Sequence, residues 1–64
     1  METNHDGFTF KNWMHMVDIF ILNTIGLGVN DLPDALHYDA WMDEWSPEEW
    51  GADLLDENFG DAWR

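Results

Sequence analysis

Positive charge is nearly missing from this sequence. Its 64 residues include 14 acidic side chains, but only Lys11 and Arg64 are basic, which gives a formal charge of -12. Eleven of the acids lie between Asp31 and Asp61. Because like charges repel one another, a charge of this size opposes a compact fold. Its natural complement is a partner with a basic surface, and surfaces of that kind commonly hold nucleic acid.

Cysteine and long apolar runs are also missing. Without cysteine no disulfide can stabilise the fold, and this composition favours a cytosolic setting. The most apolar stretch, residues 17–27, is interrupted by Asp18, Asn23 and Thr24 and is shorter than the roughly 20 apolar residues of a membrane span. The first residues lack the basic start of a signal peptide. We therefore expect neither a membrane-spanning segment nor a signal peptide.

What the sequence does have is aromatic and aliphatic residues in number. It is 45% hydrophobic and 16% aromatic, with five tryptophans. Chains that stay disordered combine high charge with low hydrophobicity, so disorder is not expected here. Burial of the large rings can support a small core. The length allows one domain. We predict a single acidic helical domain over residues 1–64, in which residues 1–8 form a loose N-terminal arm.

The spacing of apolar residues predicts an all-α fold of three helices near 9–25, 31–43 and 46–58. Helix-capping residues mark the proposed boundaries. These are Thr9 and Gly26 for the first helix, Asp31 for the start of the second, and Ser46 and Gly60 for the third. The predicted core consists of Trp13, Val17, Phe20, Ile21, Tyr38, Trp41, Trp50 and Leu55.

Several acids recur at a spacing of four residues within the proposed helices. Such a spacing places side chains on one helix face, about 6 Å apart along the axis. No lysine follows at the positions that would offset the repulsion. Two interpretations stay open: a solvated face that keeps the chain soluble, or an array of carboxylates that imitates phosphates. The second makes a partner-binding surface of Asp39, Asp43, Glu44, Glu48, Glu49, Asp53 and Glu57.

A second candidate surface is apolar. On the first predicted helix, Ile19 and Leu22 fall within an otherwise polar stripe. They are candidates for self-association or for contact with a partner. Trp63, beyond the last helix, is either a lid on the core or a further contact residue. A symmetric homodimer through the first helix and a monomer whose patch meets a partner both remain open.

Motifs of catalysis and metal binding are not found in the sequence. It contains no His-Glu-x-x-His, nucleophile elbow or glycine-rich phosphate loop. Residues 56–61 resemble the start of a calcium-binding EF-hand loop, but Gly60 stands where the loop needs its ligand at position five. We therefore expect no enzyme activity, no cofactor and no dedicated metal site.

Four segments together resemble a family of short phage and bacterial proteins of unknown function. The segments are Phe10-Lys11-Asn12-Trp13-Met14 with Val17-Asp18, then Gly26, then Asp31-Leu32-Pro33-Asp34 with Tyr38-Asp39-Ala40, and finally Ser46-Pro47-Glu48. That family combines an aromatic-rich helix, a Leu-Pro-Asp turn and a Ser-Pro-Glu helix start. The resemblance covers about residues 8–55 and implies the fold and a mobile-element setting. Glu44-Trp45 stands where those proteins usually carry a glycine before Ser-Pro.

The composition also resembles that of acidic phage proteins that mimic DNA and block host defences. We therefore expect an inhibitor, such as an anti-CRISPR protein, that occupies the basic groove of a nucleic-acid-binding protein in the bacterial cytoplasm. It would not bind nucleic acid itself. The alternative is a small adaptor that binds through its aromatic and aliphatic patch, with the acids serving solubility.

Overall fold

The computed structural model describes residues 7–64 of the chain. This range contains three α-helices, two short 3-10 turns and no strand, which confirms the all-α fold. The helices are α1 (Phe10–Ile25), α2 (His37–Met42) and α3 (Pro47–Phe59), and the 3-10 turns span Val29–Asp31 and Gly60–Trp63. Most of the predicted N-terminal arm, residues 1–6, lies outside the described range.

The ends of α1 follow from residues next to its first and last turns. The Thr9 hydroxyl accepts a hydrogen bond from the Asn12 amide at 3.2 Å, which satisfies one of the amides left unpaired at a helix start. At the other end Gly26 adopts the left-handed conformation, with φ of 77°, and its amide donates to the Leu22 carbonyl. The predicted bounds of this helix are correct to within one residue.

The start of α3 is capped in the same way. The Ser46 hydroxyl accepts from the Glu49 amide at 3.1 Å, and Pro47 occupies the first helical position, where its missing amide costs nothing. Trp45 and Trp50 meet edge to face across this cap, 5.6 Å between ring centroids. Gly60, with φ of 61°, ends the helix. The predicted range of 46–58 is again correct to within one residue.

The predicted start of the second helix is wrong. The helix begins at His37, six residues after the expected cap at Asp31. Pro33 disfavours helical geometry in the residue before it, and Leu32 is extended, with φ of -97° and ψ of 157°. Asp31 instead closes the preceding 3-10 turn, where its carboxylate accepts from the Gly28 amide at 3.0 Å.

The core lies mainly between α1 and α3, with α2 covering one end. Eight hydrophobic residues are buried: Trp13, Val17, Ile21, Val29, Ala40, Trp41, Leu54 and Leu55. Gly51 lets the two long helices approach closely, because a side chain at this position would run into the Phe20 ring. Three core predictions need correction. Phe20 and Trp50 are only half-buried, and Tyr38 is 50% exposed because the short α2 turns Ala40 and Trp41 inward instead.

Tryptophan side chains hold these elements together through hydrogen bonds as well as packing. The Trp13 indole N–H donates to the Trp45 carbonyl at 2.8 Å, which fixes α1 to the turn between α2 and α3. The Trp41 indole donates to the Phe8 carbonyl at 3.0 Å and so fixes α2 to the residues before α1. Since a buried polar group without a partner is costly, these bonds let two large rings lie fully inside.

Candidate partner-binding surface

An acidic stripe runs along α3 on the side away from α1. Glu49, Asp53 and Glu57 follow one another at one-turn intervals, about 6 Å apart along the axis. Gly51 and Leu55, which are buried, lie on the opposite side of the helix. These three residues, called the α3 stripe below, form the most regular part of the predicted surface.

The stripe continues at the corner between α2 and α3. There Asp43, Glu44 and Glu49 surround Trp45 at a shallow depression of about 210 Å³. Asp39 is exposed on α2, one turn before Asp43. The structure therefore brings three of the predicted acids together at this corner, and Glu49 joins the corner to the α3 stripe.

Glu48 does not share the stripe. Successive helix residues are about 100° apart, which places Glu48 on the flank of α3 opposite to that of Glu57. Its side chain is exposed, as is that of Glu49. The two neighbouring glutamates therefore face different surroundings, although the spacing in the sequence gives no reason to separate them.

Arg64 is engaged at the C-terminal end and not on the stripe. One nitrogen of its guanidinium lies 3.1 Å from both carboxylate oxygens of Asp56, and another lies 3.9 Å from Asp61. The Trp63 indole donates to Asp56 at 2.8 Å. This hydrogen bond and, after it, the nearby guanidinium hold the pKa of the Asp56 carboxyl below its ordinary value of 3.8. The Trp63 ring packs against the core, as a lid would, and its second proposed role, contact with a partner, stays a prediction.

The structure also reveals a cleft that the sequence prediction did not include. Residues 33–36 face α3 across a cavity of about 370 Å³, which Asp53 and Glu57 of the stripe help to line. Asp34 lines the same cavity from the opposite wall. The prediction missed Asp34 because a helix starting at Asp31 would place it in a first helical turn. The only available signal was Pro33, which disfavours helical geometry just before this position.

The predicted apolar patch is exposed as expected. Ile19 is 37% and Leu22 50% exposed, on the side of α1 away from α3. The patch and the α3 stripe therefore lie on opposite sides of this two-helix layer. Whether the patch mediates a homodimer stays a prediction, which light scattering of the wild type and of an Ile19→Glu, Leu22→Lys variant would test.

His37 supports the wall of the cleft through a hydrogen bond that depends on its charge state. The Trp50 indole N–H donates to His37 Nδ1 at 2.9 Å. Nδ1 accepts a hydrogen bond only when it carries no proton, so the folded chain favours the neutral ring. Burial lowers the pKa of His37 from its ordinary value of 6.5, and the nearby charge of Asp34 opposes this by raising it.

We expect His37 to make the fold less stable in mild acid. Because the pKa is lower in the folded than in the unfolded chain, the unfolded chain binds more protons as the pH falls. The stabilising contribution is complete above the ordinary value of 6.5 and is lost as the pH falls from there through the lower pKa of the folded chain. His37→Asn keeps an acceptor close to the position of Nδ1 but cannot titrate in this range.

The measurement is the difference in free energy of unfolding between wild type and His37→Asn, from urea denaturation at about pH 7 and about pH 5. The carboxylates are common to both proteins, so their contributions to the pH dependence of stability largely cancel in this difference. The wild type should lose stability relative to the variant as the pH falls, and a constant difference would contradict the role of the hydrogen bond.

Glu44 adopts a backbone conformation that is unfavourable for its residue type. Its φ of 66° is left-handed, and it is the only non-glycine residue of the described range with a positive φ. This conformation costs a residue with a side chain roughly 1–2 kcal/mol, whereas glycine adopts it freely. The acidic corner is thus built around a strained turn.

We expect Glu44→Gly to increase the free energy of unfolding by about 1 kcal/mol, because relief of strain outweighs the added freedom of the unfolded chain. Asp43→Gly is the matched control. It removes the same charge from the same corner, but at a φ of -81°, where glycine brings no relief, so it should destabilise. Thermal unfolding that shifts in the same direction for both variants would attribute the effect to charge instead.

Comparisons with protein-family models, with curated proteins and with solved structures found no significant match. Within residues 7–64, no helix is long and apolar enough to cross a membrane. No three His, Asp or Glu side chains of that range are arranged to hold a metal ion. The function of the chain is therefore inferred from the geometry and charge of its surface.

Proposed function

We propose that this protein is an inhibitor that binds the basic nucleic-acid-binding surface of a host protein by presenting carboxylates in place of phosphates. In this proposal it is a phage or mobile-element protein of the anti-CRISPR or a similar anti-defence kind. It acts in the bacterial cytoplasm, without enzymatic activity and without binding nucleic acid itself.

The observation that supports this proposal most is that, within residues 7–64, the α3 stripe has no basic side chain paired with it. Neither basic residue of the chain forms an ion pair with the α3 stripe, since Arg64 contacts Asp56 and Asp61 and Lys11 lies on α1. Like charges one turn apart destabilise a helix by a few tenths of a kcal/mol per pair. The repulsion between these carboxylates is relieved when basic side chains of a partner approach them.

The spacing of the carboxylates is compatible with mimicry. The α3 stripe places one charge about every 6 Å along its axis, whereas a single DNA strand has one phosphate about every 3.4 Å. Asp43 and Glu44 extend the charged surface past the start of the helix. The two spacings are of the same order, so side chains that contact phosphates can reach successive carboxylates.

The exposed patch on α1 favours a second candidate function. Ile19 and Leu22 would let a small adaptor bind an apolar surface, with the acids serving only solubility. The two functions use opposite sides of the molecule. They also differ in their response to salt, because ions screen contacts between charges and leave apolar contacts nearly unchanged.

Salt dependence therefore tests the proposal. Immobilised protein should capture a nucleic-acid-binding protein from a bacterial lysate at about 50 mM salt and release most of it at about 500 mM salt. A DNA duplex should compete for the captured protein. A bait with Glu49→Gln, Asp53→Asn and Glu57→Gln serves as control. Capture that resists salt, persists with this bait and is lost with Ile19→Glu, Leu22→Lys would support the adaptor instead.

A further inference from the structure

The cleft between residues 33–36 and α3 combines an apolar floor with an acidic rim. Leu54 is buried at its base, and Leu36, 72% exposed, stands on the opposite wall. Its volume of about 370 Å³ is enough to hold one long side chain of another protein. The acidic corner around Trp45, by comparison, is smaller, at about 210 Å³.

An indole ring with a fixed position lines this cleft. Trp50 is half-buried and is held by its hydrogen bond to His37. The rings of these two residues also meet edge to face, 5.9 Å between centroids and at 87°. The Trp45 ring also meets the Trp50 ring edge to face. A ring constrained in this way does not need to be ordered when a ligand binds, which lowers the entropic cost of binding.

Carboxylates border the cleft on both walls. Asp53 and Glu57 lie one turn apart on α3, and Asp34 lies on the facing segment. No ion pair within the described residues neutralises any of the three. The cleft therefore matches a ligand whose body is apolar and whose end is positively charged.

Arginine has this combination in a form that lysine does not. Its stem of three methylene groups can lie against Leu36 and Leu54, as long cationic side chains commonly lie along apolar surface. Its planar guanidinium carries five N–H donors, which can reach carboxylates on two walls at once, and it stacks on aromatic rings. The lysine ammonium is more strongly hydrated and offers a single point of charge.

We propose that this cleft binds one arginine side chain of the partner protein and is the anchor of the interaction. The inference rests on the proposed function, because the arginine would belong to the basic nucleic-acid-binding surface of that partner. Interfaces commonly concentrate their binding energy in a few desolvated contacts near the centre, while charges at the outer edge of the interface mainly increase the rate of association. The remaining acids then steer the approach and contribute less to the lifetime of the complex.

The direct test uses short peptides as probes of the cleft. A peptide of six arginines, titrated into the isotope-labelled full-length chain at about 150 mM salt, should shift the indole resonance of Trp50 and the amide resonances of residues 34–36. A peptide of six lysines should bind at least about threefold more weakly. Equal affinity for the two peptides, or shifts centred on the Trp45 corner, would overturn the assignment.

Two double variants with equal loss of charge complete the test. Asp53→Asn with Glu57→Gln should weaken binding of the arginine peptide about tenfold, whereas Asp43→Asn with Glu49→Gln should weaken it about twofold. Similar losses in both variants would show that only total charge matters. Far-UV circular dichroism of both variants checks that the fold is intact.

The same variants separate this inference from the proposed function. In the first case, capture of the host protein still depends on salt, but the Asp43, Glu49 variant weakens its binding more than the Asp53, Glu57 variant does. Mimicry then stands, and the cleft is not the anchor of the interaction. If the arginine peptide occupies the cleft but no nucleic-acid-binding protein is captured, the cleft stands and the proposed function fails.

Discussion

Replacing Trp13 by alanine is expected to remove a large part of the stability of the fold. Trp13 is fully buried, stacks with Phe10 and packs close to Trp50, and its indole donates to the Trp45 carbonyl. Truncating a buried aromatic side chain costs about 3–5 kcal/mol. At about 0.05–0.15 kcal/mol per residue, a chain of this length has a total stability of about 3–10 kcal/mol. One substitution can therefore remove between about a third and all of that stability.

A milder variant of Trp13, together with a control at Trp45, separates the contribution of packing from that of the hydrogen bond. Trp13→Phe keeps a ring in the core but leaves the Trp45 carbonyl without its donor, which should cost about 1–3 kcal/mol. Trp45→Phe is the control, because Trp45 is 37% exposed and its own indole makes no hydrogen bond within residues 7–64, so we expect less than about 1 kcal/mol. Urea unfolding followed by far-UV circular dichroism measures the free energy of unfolding of the two Trp13 variants and of the Trp45 control. Equal losses for Trp13→Phe and Trp45→Phe would contradict the role of the carbonyl bond.

The parts of the fold that the sequence predicted correctly depend on local signals. Thr9 and Ser46 accept hydrogen bonds from amides three residues later, and Gly26 and Gly60 adopt positive φ after a helix. Each of these acts within one turn, so it can be recognised without knowledge of the tertiary structure. The bounds of α1 and α3 follow from them almost entirely.

The second helix shows where local signals were not enough. Asp31 is a good cap by type, but its carboxylate is used in the 3-10 turn, and the Val29 amide donates to Asp18 of α1 at 2.8 Å. That contact joins residues far apart in sequence and helps to bury Val29. No periodicity within residues 29–43 indicates it. The exposure of Tyr38 has the same origin, since it depends on the shortened helix.

The candidate site was predictable in composition but not in arrangement. A spacing of four residues correctly placed Glu49, Asp53 and Glu57 on one side of a helix. Which acids meet across the cleft depends on the course of residues 33–36, and so on a tertiary contact. The strained φ of Glu44 was likewise not recognised, because its residue type does not favour that conformation.

The strongest expected effect on function comes from reversing the charge of the α3 stripe. Glu49→Lys with Asp53→Lys and Glu57→Lys should weaken binding to the captured host protein at least about 100-fold, because attraction to a basic surface becomes repulsion at three adjacent turns. The fold should persist, since Glu49 and Glu57 are exposed, Asp53 is only half-buried, and three lysines reduce the large negative charge that opposes a compact fold. Calorimetry or surface plasmon resonance at constant salt measures the change.

Glu48 and Glu49 offer a matched comparison within that prediction. They are adjacent and equally charged, both are exposed, and both lie in the first turn of α3, so replacing either by lysine has a similar unfavourable effect on the helix start. Glu49 belongs to the stripe, whereas Glu48 lies on the opposite flank from Glu57. Glu49→Lys should therefore weaken binding about tenfold and Glu48→Lys about twofold. Equal effects would mean that the partner responds to the total charge of the chain, and the stripe would then have no special role in recognition.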